Sequence, residues 1–145
     1  MPVRESEARW EGTLFEGSGV IKVGTGFHGG RCSFPSRFAS AHGTNPEELI
    51  GAAHAACFTM ALSLILGEAK LTAEQMETRA DVTLEKVGDG FSITSVHLTL
   101  NARVPGADNA KLQAVAKGQA ARRCSPASRA GWISSSCSAS GSGGD

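Results

Sequence analysis

The alternation of apolar and polar positions changes character several times along the chain, and each change predicts an element. From Ala8 to Val23, the short alternating stretches ARWEGTLF and VIKV flank Glu16-Gly17-Ser18-Gly19, the pattern of a hairpin with a glycine turn. From Gly24 to Gly43 the text is glycine-rich and irregular, and Pro35 argues against a helix, so a loop with at most one short edge strand is expected. Asn45-Pro46-Glu47-Glu48 then opens a helix: asparagine caps, proline suits the first helical position, and the acids complement the positive end of the macrodipole. It runs through LIGAAHAACFTMALSLIL to Gly67, read as a left-handed stop. This helix is apolar nearly all round, so it must be enclosed on several sides, which one small domain can hardly do alone.

Thr78 to Glu85 alternates, with Ala80, Val82 and Leu84 on one face, and Gly88-Asp89-Gly90 turns the chain. The return strand aligns Val96, Leu98, Leu100, Ala102 and Val104, whereas Phe91 and Ile93 are out of phase, which predicts a bulge or an exchange of faces. After Pro105-Gly106-Ala107, Asp108 caps a second helix with Leu112, Val115, Ala116 and Ala120 at helical spacing, expected to lie on the sheet. From Ser134 onward the composition is that of a flexible tail, although the position would suit a closing strand.

Composition narrows the function. The 14 Lys plus Arg balance 14 Asp plus Glu across 145 residues, which removes the electrostatic footprint of a nucleic-acid or anionic-membrane binder. No apolar stretch follows the charges of MPVRESEARWEG, so neither a secretory signal nor a transit peptide is expected, and the cytoplasm is the default. The apolar run Ile50 to Leu66 is interrupted by Gly51, His54, Thr59 and Ser63 and reads as a core helix, too short and too weak for a membrane span. Cysteines at 32, 57, 124 and 137 form no C-x-x-C pair and match neither a zinc framework nor a disulfide scaffold, so they start as thiols.

Cys57, mid-helix in H-A-A-C-F with His54 one turn earlier, is the first candidate for chemistry. Taken alone it reads as packing, because unpaired cysteine is among the most buried residue types. A catalytic role requires activation: a thiol of pKa ~8.5 is a few per cent ionised at neutral pH, and lowering it by about two units takes about 2.7 kcal/mol of preferential anion stabilisation. A mid-helix site gains little from the macrodipole. The cation must come from elsewhere, and Arg37, in the loop ahead of the helix, is a source if a carboxylate such as Glu47 aims its guanidinium. Glu47 and His54 are seven residues apart and share a helical stripe, from which Cys57 is displaced by less than a quarter of the circumference. By themselves, Glu47 reads as a first-turn acid and His54 as a hydrogen-bonded core histidine.

Competing motifs fit less well. Gly24-Thr25-Gly26-Phe27-His28-Gly29 spells G-x-G-x-x-G, but a dinucleotide site needs a helix opening there and the chain runs on to Pro35. His54 and Cys57 offer two metal ligands at one helical turn, whereas His28, His42 and His97 show no partner spacing. No nucleophile elbow is present.

At GTNPEELIGAAHAACF, Gly43 to Phe58, the chain resembles the OsmC/Ohr family of thiol-dependent hydroperoxide reductases, and more closely its OsmC branch. The resemblance continues through TMALSLILGEAKLTAEQMETRADVTLEKVGDGFSIT and Val104-Pro105-Gly106, covering Ala8 to Ala120. It implies an α+β fold in which two chains intertwine as a homodimer, with antiparallel sheets packed around long central helices. One such domain would span residues 1–133, followed by the Ser/Gly-rich tail 134–145. By the same resemblance Cys57 matches the peroxidatic cysteine, Glu47 the carboxylate of P-E-E-L, and Arg37, in P-S-R-F, the arginine that attends the thiolate. Cys124 matches the resolving cysteine, but it stands in Cys124-Ser125-Pro126-Ala127-Ser128 where the family carries C-P-x-S. The family's closing alternating strand is also replaced, with Ala130-Gly131-Trp132-Ile133 giving way to the tail, which a sequencing frame error or a diverged terminus would each explain.

The function implied is a cysteine peroxidase of oxidative or osmotic stress defence. It would reduce organic hydroperoxides through a Cys57 sulfenic acid and a Cys57–Cys124 disulfide. It would bind no cofactor and draw electrons from dihydrolipoamide on a lipoyl-carrying protein. The apolar residues near the thiol, Ala53, Phe58, Met60 and Ala61, favour organic hydroperoxides over hydrogen peroxide, because an alkyl tail gains burial energy. Cys32 and Cys137 receive no role. Two other classes stand beside this one: another thiol chemistry such as acyl transfer, with His54 as its base, and a non-catalytic or recycling-impaired dimer that holds a small hydrophobic ligand.

Overall fold

The computed structural model describes residues 4–24, 28–121 and 134–141, and the chain divides into two compact units, Met1–Leu49 and Ile50–Asp145. In the first unit the alternating stretches form the antiparallel pair β1 (Ser6–Glu11) and β2 (Ser18–Val23), with Ala8 opposite Ile21 and Trp10 opposite Gly19. The connection is longer than a tight turn. Gly12 takes a φ of +93° at its start, and the Gly17 N–H closes it onto the Thr13 carbonyl at 2.8 Å. β3 (His28–Cys32) pairs antiparallel with β2 as the expected edge strand.

After β3 the structure departs from the loop expected there. Phe34–Phe38 is a helix, α1, with Pro35 in its first turn, where a backbone N–H would have no intrahelical acceptor and proline therefore removes nothing. Ser33 and Ser36 form a reciprocal capping box: the Ser36 N–H donates to Ser33 Oγ at 3.2 Å and the Ser33 N–H to Ser36 Oγ at 2.8 Å. Ser36, which is buried, also donates from Oγ to the Thr44 carbonyl at 2.9 Å, while Asn45 Nδ2 donates to the Ser36 carbonyl at 3.1 Å. These bonds hold α1 against the start of the next helix.

That helix, α2 (Pro46–Glu68), opens as expected, with the Glu48 N–H donating to Asn45 Oδ1 at 2.8 Å. Its end is not the predicted one. Gly67 stays helical, and the left-handed residue is Lys70, with φ +58°. The Leu71 N–H bonds the Leu66 carbonyl at 2.8 Å and the Lys70 N–H bonds the Gly67 carbonyl at 2.9 Å, the two bonds of a Schellman motif. The hydrophobic contact that goes with this motif is made by Leu71 against the core that contains Leu66.

In the second unit β4 (Gln75–Val87) and β5 (Gly90–Arg103) form a long antiparallel hairpin that pairs Ala80 with Leu98 and Val82 with Val96. The predicted irregularity is a bulge: the register shifts between Thr83 and Leu84, which oppose Ser95 and Ile93, leaving Thr94 as the extra residue. Helix α3 (Asn109–Ala121) is capped by Asp108, whose Oδ1 accepts the Lys111 N–H at 2.6 Å, and it buries Leu112 and Ala116. Ser134–Gly141 forms β6 parallel to β5, with Cys137 in register with Leu98. Backbone pairing thus makes a strand where composition reads as a tail, and the second sheet is mixed instead of wholly antiparallel.

Within this unit α2 lies on the β4–β5 hairpin. A Cβ at Gly51 would come within 3.0 Å of Val82 Cγ2, so glycine permits the close approach of helix to strand. Thr59 and Thr78 share a hydrogen bond of 2.6 Å across the same interface. Gly51, His54, Phe58, Leu62 and Leu66 form the buried stripe of the helix, and Phe58, Leu62 and Leu66 join Val96, Leu98 and Leu100 of β5 in a core where these side chains are at most 2% exposed. Burial of each Leu or Phe there is worth about 1.5–3 kcal/mol. The opposite side is uncovered, with Met60 74% and Leu64 66% exposed. By length and composition the 23-residue helix is apolar enough to cross a membrane, more so than its interrupted run suggests. Its stripe nevertheless packs on a sheet, as a core helix does. The fold is α+β.

Candidate active site

The first unit assembles a charged fork. Glu47 stands in the first turn of α2 and Arg37 in α1, the helix not foreseen from sequence, and the bonds among Ser36, Thr44 and Asn45 fix one helix against the other. Arg37 Nε donates to both Glu47 oxygens, at 3.2 and 3.3 Å, and Nη2 donates to Oε1 at 2.8 Å. The carboxylate side chain is 12% exposed and the guanidinium side 39% exposed. The guanidinium also lies over the Phe38 ring, with Cζ 5.2 Å from the centroid. A planar group gripped at its Nε edge and stacked on a ring keeps a fixed orientation, with Nη1 left without an acceptor among the described residues. The structure therefore brings together two of the four residues singled out from sequence, in the geometry expected of an aimed cation.

Beside the fork is a cavity of about 480 Å³ whose walls include Trp10, Leu14, Ile21, Phe34, Phe38 and Arg37. Phe34 packs between Phe15 and Phe38, with ring centroids 4.8 Å apart in both pairs. Cys32 lines the same cavity. The sequence reading missed this arrangement. Its signals were the alternation of β1, which puts Ala8 and Trp10 on one face, and the S-x-x-S spacing of the α1 capping box.

Cys57 and His54 belong to the second unit. Cys57 carries a half-buried thiol on α2 at the edge of the buried stripe. Of the four apolar neighbours named from sequence, Phe58 is fully buried in the core and does not line the approach to the sulfur. Ala61 is half-buried, while Ala53 and Met60 are exposed on the thiol's outer flank. His54 is 2% exposed, and its Nδ1 is buried with no hydrogen-bond partner among the described residues, so the expectation of a hydrogen-bonded core histidine is corrected at that nitrogen. Loss of hydration on burial holds its pKa below the ordinary 6.5, leaving the ring neutral at neutral pH.

Cys124 lies outside the described residues. Among the described residues no group of three His, Cys, Asp or Glu is placed to hold a metal ion. Gly29, the last glycine of the G-x-G-x-x-G pattern, stands in strand β3 and not at the opening of a helix.

The family model described as OsmC-like protein matches residues 39–130. Peroxiredoxin OsmC of Escherichia coli is 49% identical over 106 residues, 72% of this chain and 74% of that protein. An organic hydroperoxide resistance protein of Xanthomonas axonopodis is 36% identical over 76 residues, 52% of this chain and 51% of its own length. Among solved structures, an organic hydroperoxide resistance protein from Elizabethkingia anophelis superposes with a TM-score of 0.71 at 25% identity, over 97% of this chain and 99% of that one. With the segment from the capped start of α2 through the β4–β5 hairpin inside the matched region, the chain belongs to the OsmC-like protein family.

Proposed function

We propose that Cys57 is the peroxidatic nucleophile of this chain and that its substrates are organic hydroperoxides. As an OsmC-family chain 49% identical to a peroxiredoxin, the protein is a thiol-dependent peroxidase; the residues, substrate class and electron path are the proposal. The observation that carries it is the Arg37–Glu47 fork, a guanidinium locked on one edge and open at Nη1. Such a group holds a thiolate ionised and then stabilises the charge that develops on a departing oxygen.

In the reaction the Cys57 thiolate attacks the terminal oxygen of R-O-O-H. The S–O bond forms as the O–O bond breaks, the electron pair leaves on the alkoxide, and a proton completes the alcohol, giving sulfenic acid and R-O-H. The Cys124 thiol then condenses with the sulfenic acid, forming a disulfide and releasing water, and an external dithiol restores both thiols by exchange. Family resemblance points to dihydrolipoamide on a lipoyl protein as that dithiol, to no resident cofactor, and to a cytoplasmic homodimer. The exposed Met60 and Ala53 beside the thiol favour substrates with an apolar tail.

Consumption of cumene hydroperoxide with reduced lipoamide tests the reading. Cys57→Ser is expected to abolish turnover, and undiminished activity refutes the assignment. One equivalent of peroxide should consume two thiols per subunit, Cys57 and Cys124, and one in Cys124→Ser, whereas a non-catalytic ligand-binding dimer would lose none.

A further inference from the structure

Resting on the peroxidase reading above, we infer that His54 is a positioning residue for the oxidised enzyme: its buried Nδ1 is the hydrogen-bond partner of the oxygen that the reaction adds to Cys57. The resting protein leaves this nitrogen unsatisfied among the described residues. A buried polar atom with no partner is held against a free-energy penalty, and native structures tolerate few of them. His54 is 2% exposed and its Nδ1 has none among the described residues. The strands on which the helix packs contribute apolar Ala80, Val82, Val96 and Leu98 to the core, and Thr78 is already bonded to Thr59.

One neighbour changes chemistry during the cycle. Cys57 is three residues on, and residues at that spacing are adjacent on a helix surface. His54 belongs to the buried stripe, Cys57 sits at its edge, and the exposed Ala53 and Met60 flank the thiol on the far side. A peroxide arriving from that flank meets the sulfur with the imidazole behind it. Oxidation then adds an oxygen that the thiol lacks. A neutral imidazole can accept from the hydroxyl of a sulfenic acid or, as the other tautomer, donate to a sulfenate. Burial, which keeps the ring uncharged at neutral pH, suits both. The bond would hold the sulfenic acid for the resolving thiol and slow its attack on a second peroxide, the step that leads to irreversible sulfinic acid.

The test uses the full chain with Cys124→Ser, in which the sulfenic acid has no resolving partner. One equivalent of cumene hydroperoxide is added, Cys57 sulfenic acid is trapped with dimedone, and sulfinic acid is followed by intact mass as further peroxide is supplied. Adding His54→Leu should leave the first oxidation within about threefold and speed over-oxidation about tenfold, the factor one net hydrogen bond supplies. His54→Asn, whose amide replaces Nδ1, should restore the slow rate. A packing role would reverse that order, since leucine suits an apolar core better than asparagine. Equal over-oxidation rates with histidine and with leucine at this position overturn the inference. Should His54→Leu not fold, the nitrogen-15 shift of His54 Nδ1 decides in the Cys124→Ser protein: a change on adding one equivalent of peroxide supports the bond, and an unchanged shift overturns it. Failure to trap any Cys57 sulfenic acid in the Cys124→Ser protein overturns the peroxidase reading together with this one.

Discussion

Replacing Glu47 by alanine removes both acceptors of the fork and, among the described residues, leaves Arg37 its stacking on Phe38. The loss can be sized from the contacts. Three hydrogen bonds of 2.8 to 3.3 Å join the groups, and the carboxylate is 12% exposed, but the guanidinium is 39% exposed and screened by water. Charged hydrogen bonds are worth about 1.5–3 kcal/mol when shielded, and exposed pairs about 0–1 kcal/mol, which sets the orienting contribution near ~1–2 kcal/mol. If Glu47 acts by aiming Arg37, kcat/KM for a hydroperoxide should fall roughly 5- to 30-fold in Glu47→Ala. Arg37→Ala should fall at least as far, and the double variant no further than Arg37→Ala, because a carboxylate with nothing to aim has nothing left to lose. Glu47 also lies in the first turn of α2, where an acid adds about 0.3–1 kcal/mol to helix stability, so the melting temperature is measured alongside to separate a folding effect from a rate effect. Losses that add in the double variant, or a Glu47→Ala enzyme as fast as the parent, would refute the orienting role.

Two further predictions concern stability. His54 has a folded pKa below 6.5 because it is desolvated, so above about pH 6.5 it is neutral in both states and stability is complete. As pH falls below that value the unfolded chain takes up a proton that the native state resists, and unfolding free energy should drop by up to ~1.4 kcal/mol per pH unit until the folded pKa is reached. Denaturant titrations at pH 7.5 and 5.5 should show this loss, and in His54→Asn the histidine share of the slope should vanish; identical slopes would contradict the burial argument. Lys70 ends α2 in the left-handed region, with φ +58°, so Lys70→Gly should stabilise the protein by roughly 0.5–1 kcal/mol through relief of backbone strain. A lower melting temperature would argue against the Schellman assignment.

What could be read from the residues alone follows the range over which each signal acts. The Asn45 and Asp108 caps, the β4–β5 register and the bulge are local matters of side-chain period and short-range hydrogen bonding, and all appear where the pattern puts them. The misreadings have local causes too. Proline breaks a helix interior, but Pro35 stands in a first turn; glycine favours a helix stop, but Gly67 stays helical and the chain closes two residues beyond the helix at Lys70, onto the carbonyls of Leu66 and Gly67. β6 is different in kind, since its serine-rich text carries no apolar period and its place comes wholly from pairing with β5.

The candidate site divides along the same line. Arg37 and Glu47 were legible as a pair because charge demands a partner wherever the backbone places it, and the two, ten positions apart in the chain, are in contact. The orphaned His54 nitrogen was not, because the sequence shows a histidine at core spacing and a core histidine is ordinarily satisfied. Its lack of a partner among the described residues emerges only once the helix is packed on its sheet. A polar atom left without a bond by every neighbour in the resting state is informative for that reason. Keeping it is disfavoured by desolvation, and within its own unit the group beside it that changes in a peroxidase cycle is the sulfur of Cys57.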